Sequence, residues 1–154
     1  MTIENDIAYL ERIPFLRRLG TAALRILAIG VESYDLQPGQ VLFAAGDPAD
    51  GAYIVQRGSF ILRPERSGEP ELTANPGTLI GESALLAETR RPATATARES
   101  ATVMRISRSM FLRMLEGYPD AAQRLREMMA SRADQWAREM ENVRSTLLPG
   151  TKSQ

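Results

Sequence analysis

The chain has 154 residues and is formally neutral, with 19 basic and 19 acidic side chains, 44% hydrophobic residues, and neither histidine nor cysteine. That length suits one domain with a proper core, while the missing residue types exclude the usual zinc sites, histidine-based triads and disulfides. The neutral balance lacks the basic bias of a direct nucleic-acid binder, no run approaches a membrane span and no signal-peptide pattern opens the chain, and no paired acid–base arrangement stands out, so a cytoplasmic, non-enzymatic protein without metal or membrane contact is expected.

Helices are expected first, over about 5–29. Asn5 or Asp6 can cap a helix running through Arg12, Pro14 interrupts it, and Phe15 to Leu19 lead into a second run over 21–28. Turn formers then alternate with β-branched and aromatic runs. Pro38-Gly39, the stretch 45–51, Arg57-Gly58 and the stretch 66–70 punctuate the chain. Strands are predicted over 32–35, 40–43, 52–56, 59–63, 71–74, 94–97 and 101–106. Short strands at this spacing suggest a β-sandwich or barrel over about 31–106. The glycines among them are read as turn geometry, not as ligands.

Two helices close the chain. Ser107 caps an amphipathic run to Leu115, which Gly117 and Pro119 break. A long helix is predicted over 120–147. Its apolar stripe is Leu125, Met129, Ala133, Trp136, Met140, Val143 and Leu147, a spacing close to heptad. Residues 148–154 form a tail. Lys152 is the only lysine, and this arginine-biased usage fits a GC-rich bacterial genome.

The segment over 81–97, GESALLAETRRPATATA, carries the chemistry. Gly81 allows backbone angles that other residues avoid and lets a ligand approach the main chain. Residues 82–86 suit one short helical turn, whose first N–H groups lack internal partners and form a weak anion site. The Glu82 carboxylate accepts hydrogen bonds, which suits a sugar hydroxyl or an arginine partner. Arg91 brings a permanent charge and a planar fork of donors matched to two phosphate oxygens. Residues 92–97 alternate small residues with hydroxyls, as a strand does. The plain alternative is a surface ion pair between Glu82 and Arg91, worth about 0–1 kcal/mol.

This segment resembles the phosphate-binding cassette of the cyclic nucleotide-binding domain family. Gly81, Glu82, Ala84, Leu85, Arg91, Ala93 and Thr94 fall in register with the family's Gly-Glu-x-Ala-Leu, spacer, Arg-x-Ala-Thr pattern. Gly39, Gly46-Asp47, Asp50, Tyr53 and Gly58 are similar to the family's glycine-spaced strands. The resemblance implies an α+β, mainly β fold: a jelly-roll-like barrel flanked by N-terminal helices and two C-terminal helices, one domain over 1–147. It implies that Glu82 accepts a hydrogen bond from a ribose 2′-hydroxyl, that Arg91 binds the exocyclic phosphate oxygens, and that backbone N–H groups around Ser83 and Ala84 complete the cradle. Gly81, Pro92 and Ala93 join this ligand-binding set. Pro92 stands where relatives often carry Ala, Ser or Thr. It supplies neither an N–H nor the hydroxyl that contacts guanine in some relatives, which favours cAMP over cGMP.

A hinge over 106–115 would let the long helix swing over the base as a lid, with Met128, Met129, Arg132 and Trp136 as candidate contacts. Trp136 has the best face for stacking on a purine; its plainer role is packing against the barrel or another helix. Transcription regulators of the family continue into a helix-turn-helix, for which the tail is too short. The expectation is therefore a stand-alone cyclic nucleotide sensor acting through a protein partner or as a homodimer through the C-terminal helix. The alternative is an interaction or dimerisation module that keeps the barrel without the ligand.

Overall fold

The structure, a computed structural model, describes the backbone of residues 3–147 and the side chains of residues 3–142. The tail over 148–154 and the side chains of Val143 and Leu147 lie outside the described residues. The turn formers cut the middle of the chain into ten strands: β1 (Glu32–Leu36), β2 (Val41–Phe43), β3 (Pro48–Ala49), β4 (Gly51–Arg57), β5 (Phe60–Pro64), β6 (Leu72–Ala74), β7 (Leu79–Ile80), β8 (Thr89–Arg90), β9 (Ala93–Ala97) and β10 (Ala101–Ser107). Each strand predicted from the alternation is present; the two-residue strands β3, β7 and β8 are additions that the sequence pattern does not announce.

The strands form two four-stranded antiparallel sheets, β1-β10-β4-β7 and β2-β9-β5-β6, with β3-β8 as a separate ribbon. With the ribbon included, these pairings nest from the outside inward: β1 with β10, β2 with β9, β3 with β8, β4 with β7, β5 with β6. Such nesting is the jelly-roll arrangement. Among the described residues no ladder joins one four-stranded sheet to the other, so the jelly roll is a two-sheet sandwich in its hydrogen bonding.

Two cores explain the burial pattern. Leu36, Val55, Phe60, Ala97 and Val103 fill the space between the sheets. On the opposite face of β4 and β10, Ala52, Ile54, Met104 and Ile106 pack against the helices. Both faces of these strands are covered, so they lack the polar-out alternation of a half-exposed strand.

The helical cover consists of α1 (Ile3–Glu11), α2 (Pro14–Arg17), α3 (Thr21–Gly30), α4 (Arg108–Gly117) and α5 (Pro119–Leu147). The first helix begins at Ile3, ahead of the cap expected at Asn5 or Asp6. Pro14 opens α2 instead of merely breaking α1, because proline fits a first helical position where no N–H is needed. Ser107 caps α4 as expected, its hydroxyl accepting from the Met110 N–H at 3.2 Å. Helix α5 is 29 residues long and gives helix a larger share of the chain than strand. It is anchored by Ala121, Leu125 and Met128, whereas its side chains from 129 to 142 are all exposed. No described helix is long and apolar enough to cross a membrane.

Candidate functional site

Gly81 follows β7 with φ 80 and ψ 36, the left-handed region that glycine enters without steric cost. It opens a 3-10 turn over Glu82–Leu85, closed by the Ala84 N–H donating to the Gly81 carbonyl at 3.0 Å. Ala84 and Leu85 are fully buried and press the turn onto the core. The short apolar turn read from the sequence is thus present, in the tighter 3-10 form.

Arg91 lies between β8 and β9, and its backbone is fixed by the Gly46-Asp47 turn. Its N–H donates to the Asp47 carbonyl and its carbonyl accepts from the Gly46 N–H, both at 2.8 Å. The side chain runs inward and is only 4% exposed. Its Nη2 donates to the Gly51 carbonyl at 2.8 Å. The guanidinium carbon sits 4.3 Å from the Phe43 ring centroid and 5.5 Å from that of Tyr53. Nη1 is buried with no hydrogen-bond partner among the described residues. It stands against Gly81 so closely that a Cβ there would collide with it. Arg91 is in none of the ion pairs among the described residues. Burial pushes its pKa below the usual guanidinium value, with Tyr53 and Asp50 acting in the opposite sense.

Arg91 and the turn together line a cavity of about 200 Å³. Of the residues expected in the site, Gly81, Ser83, Ala84, Arg91, Pro92 and Ala93 all line it. Phe43, Leu62, Leu79 and Ile80 supply apolar wall, and Arg90 a second guanidinium at the rim. The arrangement offers one anchored cation, backbone N–H groups at the start of a turn, and an apolar chamber. Chemically it can hold a small anion attached to a flat apolar group.

Glu82 behaves differently. It is not among the residues lining the cavity. Its Oε1 accepts from Arg132 Nη1 of α5 at 2.9 Å, and both side chains are substantially exposed. The arginine partner that stood as an alternative for Glu82 is thus present, and it is Arg132 instead of Arg91. Of the other candidate lid residues, Met128 is 4% exposed and packs in the helical core, where it presents no surface to a ligand. Met129 and Trp136 are exposed, and neither lines the cavity.

Sequence reasoning misses Arg108 altogether. At the first position of α4, its Nη1 donates to the carbonyls of Ala49 at 2.9 Å and of Ala84 and Ala87 at 3.1 Å. Its backbone N–H donates to the Asp50 carbonyl at 2.7 Å. One side chain thus ties the end of the cassette turn to β3 and to the helix that follows the barrel. Phe43 likewise reads from the sequence only as a strand residue, since nothing local marks it as a neighbour of Arg91.

Residues 35–118 match the sequence profile of the cyclic nucleotide-binding domain. An uncharacterized NTE family protein of Mycobacterium bovis is 35% identical over 71% of this chain, which spans 19% of that protein. The regulatory subunit of cAMP-dependent protein kinase of Yarrowia lipolytica is 29% identical over 70% of this chain, which spans 28% of it. The chain is therefore much shorter than these relatives. Among solved structures, the N-terminal domain of a transcriptional regulator from Streptomyces coelicolor superposes with a TM-score of 0.77 at 27% identity, over 86% of this chain and 94% of that one. A cyclic nucleotide-binding-like protein from Brucella abortus gives 0.63 at 38% identity, over 73% and 98%. The profile match spans more than half of the chain, including the cassette, the Arg91 pocket and the Arg108 tie, and this chain belongs to the cyclic nucleotide-binding domain family.

Proposed function

We propose that this chain is a regulatory sensor that binds a cyclic nucleotide, with cAMP preferred over cGMP, in the cavity between the Gly81–Leu85 turn and Arg91. The observation that carries the reading is Arg91 Nη1: a buried guanidinium donor without a partner, standing against Gly81 where the turn begins, on a residue that lines the cavity. A buried cation in that state is neutralised and hydrogen-bonded when a phosphate occupies the cavity. The cAMP preference is supported by Pro92, which brings no N–H or hydroxyl to the cavity, and by relatives that are regulatory subunits of a cAMP-dependent kinase. In this reading Glu82 leaves Arg132 to take the ribose hydroxyl, and the protein works without catalysis, in the bacterial cytoplasm, through a protein partner or a second copy contacting α5.

Calorimetric titration of cAMP and cGMP into the wild type and Arg91→Ala tests it. The substitution is expected to cost about 2–5 kcal/mol, or tens to thousands of times in affinity. No heat from the wild type, or equal affinities for the two proteins, overturns the assignment. The second reading, an interaction module that does not take the ligand, is favoured by the Glu82–Arg132 pair and by the exposed Met129, Trp136 and Met140 on α5. A wild type that binds neither nucleotide and self-associates in light scattering supports that reading instead.

A further inference from the structure

A buried guanidinium is ordinarily held by a carboxylate. The carboxylate closest in electrostatic effect to Arg91, Asp50, is taken by Arg105, whose Nη2 lies 2.9 Å from its Oδ1. What touches Arg91 instead is a pair of rings. Phe43 and Tyr53 stack on each other with centroids 5.9 Å apart, and the guanidinium carbon lies 4.3 Å from the first and 5.5 Å from the second. Phe43 belongs to β2 of one sheet and Tyr53 to β4 of the other, so the rings meet only because the two sheets face each other.

We propose that Phe43 and Tyr53 form an aromatic seat that sets the anion affinity of Arg91, positioning its guanidinium without neutralising it. The inference rests on the reading of this cavity as a phosphate site. The physical distinction is between two ways of holding a cation. A carboxylate in contact would occupy the N–H donors and cancel the charge that an incoming phosphate needs. A ring face attracts the cation through its quadrupole and accepts no donor in the plane of the fork. Arg91 shows that outcome: Nη2 is fixed by the Gly51 carbonyl, and Nη1 remains free toward Gly81. Phe43 lines the cavity itself, so its ring forms wall and seat together. Phe43 and Tyr53 are positioning residues, acting on the ligand through Arg91.

The test separates the ring face from mere bulk. Phe43→Met and Phe43→Leu keep an apolar side chain without a ring; Phe43→Tyr and Phe43→Trp keep a ring. In calorimetry with cAMP, the Met and Leu variants are expected to bind about 2- to 30-fold more weakly than the wild type, and the Tyr and Trp variants to stay within about threefold of it. Thermal unfolding of the ligand-free variants identifies any that fail to fold. The second readout needs no ligand: the side-chain NMR signals of Arg91 are expected to be shifted by the ring currents of the seat, and to move toward ordinary arginine positions in Phe43→Met but not in Phe43→Tyr. Unshifted Arg91 signals overturn the seat. Affinity in Phe43→Met and Phe43→Leu equal to or tighter than wild type overturns its role in binding. A wild type that shows shifted Arg91 signals yet binds no cyclic nucleotide overturns the phosphate reading on which that role depends, with the seat itself intact.

Discussion

Gly81 and Arg91 are coupled by contact, and the residue scale is where the site is most sensitive. Gly81→Ala places a Cβ at positive φ, costing roughly 1–2 kcal/mol, and drives it into Arg91 Nη1. The expected outcome is a lower urea midpoint together with loss of cAMP binding, measured by denaturation and calorimetry. Arg91→Met separates stability from function. The Gly51 carbonyl loses its donor, costing about 1–3 kcal/mol. Removing a desolvated cation that has no carboxylate partner returns several kcal/mol. Relief of that desolvation is offset by the lost hydrogen bond and by the lost contacts with the Phe43 and Tyr53 rings, about 0.5–2 kcal/mol each. Ligand-free Arg91→Met is therefore expected to keep a urea midpoint close to that of the wild type while binding no cAMP. Asp50 gives a pH signature. Its hydrogen bond from Arg105 holds the carboxyl below the usual carboxylate range. A depressed folded-state pKa contributes stability at neutral pH that disappears as pH falls through it. The wild-type advantage over Asp50→Asn in urea midpoint is therefore expected to be complete at neutral pH, to begin falling near the ordinary aspartate value of about 4, and to disappear only at lower pH. It should be small and shrink in salt, because the Asp50 side chain is 71% exposed. Gly81 and Arg91 are legible from the sequence because a local motif carries them. Phe43 and Tyr53 are not legible as partners of Arg91, because only the facing of two sheets brings them together.

At the scale of elements, the cassette is a one-turn helix that cannot hold its own ends. Arg108 supplies what the turn lacks, donating to the carbonyls at its C-terminal side and to β3. Arg108→Ala is expected to loosen the turn locally. Amide exchange at Leu86 and Ala87, whose N–H groups bond the Ser83 carbonyl, should accelerate about tenfold or more, while amides of β10 remain as protected as before. Equal exchange at Leu86 and Ala87 in both proteins would refute the tie. Elements with a long period are readable from sequence: β4 and β10 as apolar runs, α4 through its serine cap. The strands β3, β7 and β8 are not, since two residues carry no period and each exists only through its ladder partner. The Arg108 and Arg132 contacts escape for a related reason. Each joins residues more than twenty positions apart, with a motif at the cassette end and none at the arginine end.

For the molecule as a whole, the question is what α5 does beyond Met128. Its first turns are set in the helical core, but every side chain from Met129 to Asn142 is exposed. Among the described residues Arg132 ties this half to the cassette through its pair with Glu82, an exposed contact worth about 0–1 kcal/mol, and to α2 through the Phe15 ring, whose centroid lies 5.6 Å from its guanidinium carbon. An element held so lightly changes state for a small difference in ligand affinity between the two states. If a ribose hydroxyl claims Glu82, Arg132 is released and the helix is free to settle over the filled cavity. Trp136 reports on this directly, being the only tryptophan and 64% exposed. Saturating cAMP is expected to lower acrylamide quenching of Trp136 at least about twofold, with a blue shift in emission as the ring leaves water. Arg91→Ala at the same cAMP concentration should show no change. Quenching that is unaltered in the ligand-saturated wild type would retire the lid. A light-scattering series across protein concentration would then test whether the exposed face of Met129, Trp136 and Met140 pairs with a second copy of this chain.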